Sequence, residues 1–177
     1  VMDQIEFLKD IWDHDEGQVF LAFKQRSGGI FTHVKFTLPL SDESTSRIKE
    51  EIDKHSETHH CYYAPAIYGQ SQELTSPLKE QVLCSKVSWA DIDNEQAAKN
   101  FTENPPEGVS YIINSGRGIH VLWKAIEVYG TANLELANKQ WIELYAGDKG
   151  TWNSNRLLRI PGTRNWKHED APLATIV

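Results

Sequence analysis

Two apolar segments, 109–113 (VSYII) and 119–124 (IHVLWK), flank the run NSGRG at 114–118. Both read as β-strands. A glycine-bearing connection this short joins two strands only as an antiparallel pair, because a parallel pair needs a crossover of about a dozen residues or more. The same logic applies upstream, where 19–23 (VFLAF) and 30–38 (IFTHVKFTL) are separated by a turn at Ser27, Gly28 and Gly29. In 30–38, Phe31, His33, Lys35 and Thr37 alternate with Thr32, Val34, Phe36 and Leu38, and Pro39 ends the strand. Residues 61–68 (CYYAPAIY) are strand-like, with Pro65 requiring an edge or a bulge. Residues 86–93 (KVSWADID) read as a strand, and 156–160 (RLLRI) as a short one before a turn at 161–163.

Helices are fewer. Residues 2–12 carry Ile5, Leu8, Ile11 and Trp12 at helical spacing. Residues 41–58 are polar, with Ser41 or Asp42 available as cap and only Ile48 and Ile52 to bury, the pattern of a surface helix. A short helix is expected at 94–101 and the clearest one at 131–146, with Leu134, Ala137, Trp141, Leu144 and Tyr145 on one face and Gly147 as its C-terminal cap. Residues 69–81 are loop-like, 104–108 form a turn, and no internal repeat is present. Several strands in succession with helices interspersed imply an α+β domain on an antiparallel or mixed sheet.

At 177 residues and 40% apolar, with six each of Trp, Tyr and Phe, the chain can bury a full core, which excludes disorder for the bulk of it. It holds no apolar run of membrane-spanning length and no secretory leader. Cys61 and Cys84 make no disulfide framework, so a reducing, cytoplasmic setting is expected. A first residue Val1 and an ending in LATIV, a strand cut short, suggest a domain excised from a larger protein.

Eighteen Lys and Arg against 25 Asp and Glu leave a net charge of −7, which argues against a non-specific nucleic-acid coat. The distribution is uneven. Lys149, Arg156, Arg159, Arg164 and Lys167 fall in 149–168 with no acid among them, and Arg117 and Lys124 in 111–126 likewise. Such acid-free stretches suggest a local anion site; a solvated face is the alternative.

Three motifs carry possible chemistry. In WADID, Asp91 and Asp93 are two apart, so on a strand they project to one face with Ile92 behind them. Adjacent carboxylates repel unless a cation sits between them, and hard ions such as Mg²⁺ or Mn²⁺ take such ligands. Alone, the motif also fits a strand end whose acids face solvent or cap the next helix. In SGRGIH, Gly116 and Gly118 let backbone amides approach an anion, and Ser115, Arg117 and His120 can each bond a phosphate oxygen. The run is neither a P-loop nor a dinucleotide fingerprint; a glycine hairpin with a packed His is the alternative. The third is Asp148 with Lys149, followed by NRLLRIPGTRN at 155–165. Arg156 and Arg159 are three apart, so a regular strand turns only one of them to a given site unless a bulge intervenes. His55, His59 and Cys61 have a spacing zinc could use, but with no second cysteine nearby they read as structural or surface residues.

In order, DID, SGRGIH and D…RLLRIPGT resemble the catalytic domain of the archaeo-eukaryotic primase superfamily, above all the primase-polymerases of phages, plasmids and CRISPR-associated systems. The likeness spans about residues 61–168, from CYYAPAIYG to LLRIPGTRNWK. It implies a two-lobed fold, in which an RNA-recognition-like sheet (about 61–177) and a smaller N-terminal α/β unit (1–60) enclose the site in a cleft. It implies that Asp91 and Asp93 bind metal and that Ser115 and His120, with Arg117 assisting, read the incoming nucleotide's phosphates. Asp148 would be the third metal acid. By the same likeness Lys124, Arg156 and Arg159 contact phosphate or template, and Lys149 and Arg164 suit an initiating triphosphate.

The expected function is a template-directed nucleotidyltransferase, a DNA primase and polymerase using two Mg²⁺ or Mn²⁺ ions. Its partners would be a single-stranded DNA template, a primer, nucleoside triphosphates and a helicase or accessory domain. Two alternatives use the same residues differently: a metal-dependent nuclease with water as nucleophile, and a non-catalytic replication-initiator module indifferent to Asp91→Ala.

Overall fold

A computed structural model describes residues 2–177. The chain runs α1 (Gln4–Ile11), β1 (Gln18–Gln25), β2 (Thr32–Thr37), α2 (Asp42–His55), β3 (His59–Tyr63), β4 (Ile67–Tyr68), β5 (Val82–Ile92), α3 (Glu95–Glu103), β6 (Tyr111–Asn114), β7 (Ile119–Tyr129), α4 (Thr131–Tyr145), β8 (Leu158–Arg159) and β9 (Thr175–Ile176). The class is α+β, and every strand pairing is antiparallel. No helix is long and apolar enough to cross a membrane among the described residues.

The sheet follows the order β8-β3-β1-β4-β5-β7-β6-β9, with β2 on the other edge of β1. Its shape is decided at Pro65. Leu21 opposes Tyr63 and Gln18 opposes Tyr68, so five residues of the β3–β4 segment span three of β1. The two extra residues form a bulge that accommodates the proline, as the sequence requires. Beyond the bulge, one outer edge forks: β3 takes β8, and β4 takes β5. β5 then leaves to pair with β7. Residues borne by β8 and by the far end of β5 therefore face each other across the fork.

On the β1–β3 half, Leu21, Phe23, Cys61 and Tyr63 turn toward α1 and α2 and share a core with Phe7, Leu8, Ile11, Ile48 and Ile52. Ser41 caps α2, accepting from Ser44 N–H at 3.0 Å. On the β5–β7–β6 half a second core joins Ala90, Ile92, Val121 and Trp123 to Ala98 and Phe101 of α3, with Trp141 and Tyr145 of α4 against it.

α4 differs from its sequence pattern in two ways. Its buried residues are Leu134, Asn138 and Ile142, whereas Leu144 is 66% exposed. The polar residue is inside because β5 has a free edge past β4: Asn138 Oδ1 accepts from Trp89 N–H at 2.8 Å, and its Nδ2 donates to Trp152 O at 3.2 Å. An unmet backbone group there would cost more than a missing leucine contact. The left-handed residue ending the helix is Ala146 (φ 56°), not Gly147. Gly147 serves close approach instead, since a Cβ there would lie 3.2 Å from Asp91 O. Ala146→Gly should raise stability by about 0.5–1 kcal/mol, the strain relieved less the added chain entropy; a lower denaturant midpoint would show that Ala146 is not strained.

Candidate active site

The free edge of β5 also brings in the loop after α4. Asp148 N–H donates to Asp91 O at 2.7 Å, so Asp148 lies against the DID motif 57 positions upstream. Asp91 opposes His120 in the β5–β7 register. Its Oδ2 lies 3.7 Å from His120 Nε2, and both side chains are buried. β5 ends at Ile92, leaving Asp93 exposed just past the strand. The carboxyls of Asp91 and Asp93 are close enough for each to act on the other's protonation.

Burial raises the Asp91 carboxyl above its ordinary range; Arg156 and Lys167 oppose this, and Asp148 adds to it. Asp93 is raised by burial, then by Asp91 and Asp148. The three acids thus act on one another. Burial, with Arg159, Arg156 and Lys167 nearby, pushes His120 down to about 3, so the ring is neutral at pH 7. Asp91 Oδ1 and His120 Nδ1 are both buried without a hydrogen-bond partner. Unmet buried polar atoms are uncommon and call for a ligand.

Among the described residues no three His, Cys, Asp or Glu side chains converge at the spacing of a metal set. The Asp148 carboxylate accepts instead from Gly150 N–H at 3.0 Å. The chemistry of the donors nonetheless fits a hard divalent cation. They are carboxylates only, acting on one another electrostatically, with one buried oxygen unpaired.

The SGRG turn lies beside this cluster. Ser115 is buried, and its N–H donates to Gly118 O at 2.9 Å. Gly116 has φ +115°. A Cβ on Gly118 would lie 2.4 Å from Ile92 O and 2.9 Å from Asp93 Cα, so the glycine lets the turn close over the DID backbone. Arg117 points outward and pairs with Asp170 at 3.2 Å.

Arg159 enters from β8 across the fork. It is 3% exposed, faces His60 Nδ1 at 3.4 Å, and donates to Arg164 O at 2.9 Å and Asn165 Oδ1 at 3.2 Å. Asn165 Nδ2 in turn donates to Ser115 O at 2.9 Å, tying the nucleotide-loop candidate to the arginine. Arg156 and Arg159 both act electrostatically on His120; β8 is only two residues long, and Arg156 lies before it, outside its alternation. Of the other basic candidates, Lys124 and Arg164 are engaged elsewhere. Lys124 is four positions along β7 and pairs with Asp10 at 2.7 Å. The exposed Arg164 donates to Ala171 O at 3.2 Å, and Lys149 is exposed beside Asp148.

Sequence reading missed Asn165 and His60 as neighbours of this site, since an uncharged Asn and a His beside the zinc-like triplet carry no signal; Lys167 belongs to the acid-free stretch already read as an anion site. In that triplet His55 stacks on Phe23 at 4.1 Å, and Cys61 is buried, its thiol pushed up to about 12 by burial. Burial and four cations, Arg159 first, lower His60 to about 4. A histidine held neutral in the fold stabilises fully above its unfolded value of about 6.5 and loses that contribution as pH falls through its folded value. Thermal melts between pH 7 and 4 should therefore show stability falling, and His60→Gln should flatten the fall; identical slopes would remove His60 as a cause.

No family model and no curated protein matches the chain. Three solved structures are similar to it. The archaeo-eukaryotic primase domain of the cyanophage S-2L primase-polymerase matches with TM-score 0.67 at 15% identity, over 99% of this chain and 88% of that one. Primase RepB′ matches with TM-score 0.67 at 10% identity, over 99% of this chain and 56% of that one. The catalytic domain of primase RepB′ in complex with initiator DNA matches with TM-score 0.68 at 11% identity, over 98% of this chain and 81% of that one. At these identities the likeness establishes a shared fold, that of the archaeo-eukaryotic primase domains.

Proposed function

We propose that this chain, folded as the primase-polymerase domains are, is a template-directed nucleotidyltransferase that extends or initiates DNA strands on a single-stranded template. One observation carries the reading: Asp91 Oδ1 is buried and unpaired, within reach of Asp93 and against a loop carrying Asp148. An acid left so is poorly suited to holding the fold together and well suited to holding a cation. Asp91 and Asp93 would hold Mg²⁺ or Mn²⁺, and Asp148 would complete the set by giving up its bond from Gly150 N–H. Bound there, divalent ions supply activation of a 3′-hydroxyl and neutralisation of the triphosphate.

The chain's own groups do the rest. Arg156, Arg159 and Lys167 attract and orient a polyphosphate. His120 is neutral and has a free ring nitrogen, so it bonds a phosphate oxygen rather than adding charge. The Ser115 hydroxyl bonds the same oxygens, since the Ser115 and Gly116 amides donate to Gly118 O and Asn114 Oδ1, and Asn165 ties that turn to Arg159. Holding the 3′-oxygen in line with the α-phosphorus while pyrophosphate leaves is chiefly positioning and electrostatics. A helicase or accessory domain in the full protein would supply template.

The test is a gel assay with a labelled primer-template and, separately, an unprimed single strand, with nucleotides and Mg²⁺ or Mn²⁺. Longer products support a polymerase, and products without primer support a primase. Metal-dependent shortening would replace the reading with a nuclease. No synthesis by a folded, DNA-binding protein would leave the initiator module.

A further inference from the structure

The β1–β3 half of the sheet has a second face. Leu21, Phe23, Cys61 and Tyr63 turn to the helices, so the intervening residues turn away from them. In register, Ala22 opposes both His33 and Tyr62, and Lys24 opposes His60. Tyr62 opposes Arg159, so this face runs unbroken into the side of the cleft that holds His120.

The residues on it form a chain of ring and cation contacts. The Arg159 guanidinium lies 5.0 Å from the Tyr62 ring centre. Phe31 meets the Tyr62 ring at 5.9 Å and stacks with His33 at 5.8 Å. Lys24 Nζ sits 5.5 Å from the Phe31 ring. Phe31 is 37% exposed although no helix or strand needs an aromatic there. Arg26, its guanidinium 3.8 Å from the Trp166 ring, and Lys167 act electrostatically on His60 together with Lys24 and Arg159. Among the described residues none of Lys24, Arg26 and Lys167 is in ion-pair reach of a carboxylate. In a chain of net charge −7, this is a local excess of positive charge interleaved with aromatic rings.

Resting on the nucleotidyltransferase reading, we infer that this face, from Phe31 and Lys24 to Tyr62, is the track on which the unpaired template strand lies beside the candidate site. Phosphates answer the cations, and unpaired bases answer the rings, because every base has a π-face that stacks on an aromatic side chain. A duplex keeps its bases stacked on each other and cannot use the rings. An acidic peptide would use the cations but not the rings.

Fluorescence anisotropy with a short labelled oligothymidylate, in EDTA and without nucleotides, tests this apart from catalysis. The wild type should bind the single strand more tightly than a duplex of equal length. Phe31→Ala should weaken binding by about 5- to 100-fold, the range for losing one stacked base, with the salt dependence unchanged. Lys24→Gln and Arg26→Gln should each reduce the slope of log affinity against log salt by about 0.7, one phosphate contact on a single strand. Arg26 is exposed, so its variant keeps the test open should Phe31→Ala misfold. Affinity that follows charge but ignores Phe31 overturns the track in favour of a general polyanion surface. Variants all binding like wild type overturn it outright, even if the gel assay shows synthesis. Binding that depends on Phe31 and Lys24 in a protein that adds no nucleotides upholds the track and removes the catalytic reading alone.

Discussion

Asp91→Asn is expected to abolish the proposed nucleotide addition, by about 10³-fold or more, and to leave a protein that melts no lower than wild type. The loss follows from the role proposed for the carboxylate: metal-assisted charge stabilisation contributes several kcal/mol to the transition state, at about 1.4 kcal/mol per tenfold in rate. The preserved fold follows from local chemistry. Asn is nearly isosteric, and the bond from Asp148 N–H goes to the backbone oxygen, which the substitution leaves alone. Asp91 is buried beside Asp93 and Asp148, and its carboxyl is raised above the usual range. A carboxyl so raised costs stability whenever it is ionised, so a neutral amide relieves that cost. For the same reason Mg²⁺ or Mn²⁺ should raise the melting temperature of the wild type and not of Asp91→Asn. Extension within tenfold of wild type by the variant, or equal metal shifts in both proteins, would remove Asp91 from the proposed metal set.

Gly118→Ala is expected to damage both stability and activity although it adds a single methyl. The new Cβ would lie 2.4 Å from Ile92 O and 2.9 Å from Asp93 Cα. Both are backbone atoms at the end of β5, so no side chain can swing aside. Overpacking of this kind costs about 1–3 kcal/mol, and more where the neighbour cannot move. Relief comes only by parting the SGRG turn from the DID segment, which displaces Asp93 from the groups around His120. A shift near 1 Å in a catalytic arrangement costs about 10² in rate. Gly28→Ala is the matched comparison: φ is +101°, but nothing lies within 4 Å of the added carbon. It should show only the left-handed penalty, about 1–2 kcal/mol, with extension by the folded protein unchanged. Equal behaviour of the two variants in synthesis would mean that the close approach at Gly118 has no bearing on the site.

Several features were legible without coordinates because they depend on neighbours in the chain. Apolar runs identified β1 and the C-terminal part of β5, alternation identified β2, and the glycine run identified the β6–β7 hairpin. Ser41 and the Ile48–Ile52 pair identified α2 and its buried stripe. The order of DID, SGRGIH and RLLRIPGT sufficed to point to the fold that the solved structures share. Where local rules erred, a distant partner had intervened. The interior of α4 took Asn138 and released Leu144 because a β5 amide lacked an acceptor. Gly147 was kept for its closeness to Asp91 O, so the left-handed turn fell to Ala146. Lys124 was drawn aside by Asp10, 114 positions away.

The candidate site divides along the same line. The acids and the phosphate-binding types are written in the sequence, since charge and hydrogen-bonding capacity belong to the residue itself. Which of them meet, and in what protonation state, is decided by the fork at Pro65, which sets β8 opposite the end of β5. Only then do Arg156 and Arg159 both act on the charge of His120, Asn165 join Ser115 to Arg159, and burial hold the imidazole neutral. A side chain carries its chemistry with it. Its surroundings, and with them its pKa and its partners, exist only once segments far apart in sequence exclude water together.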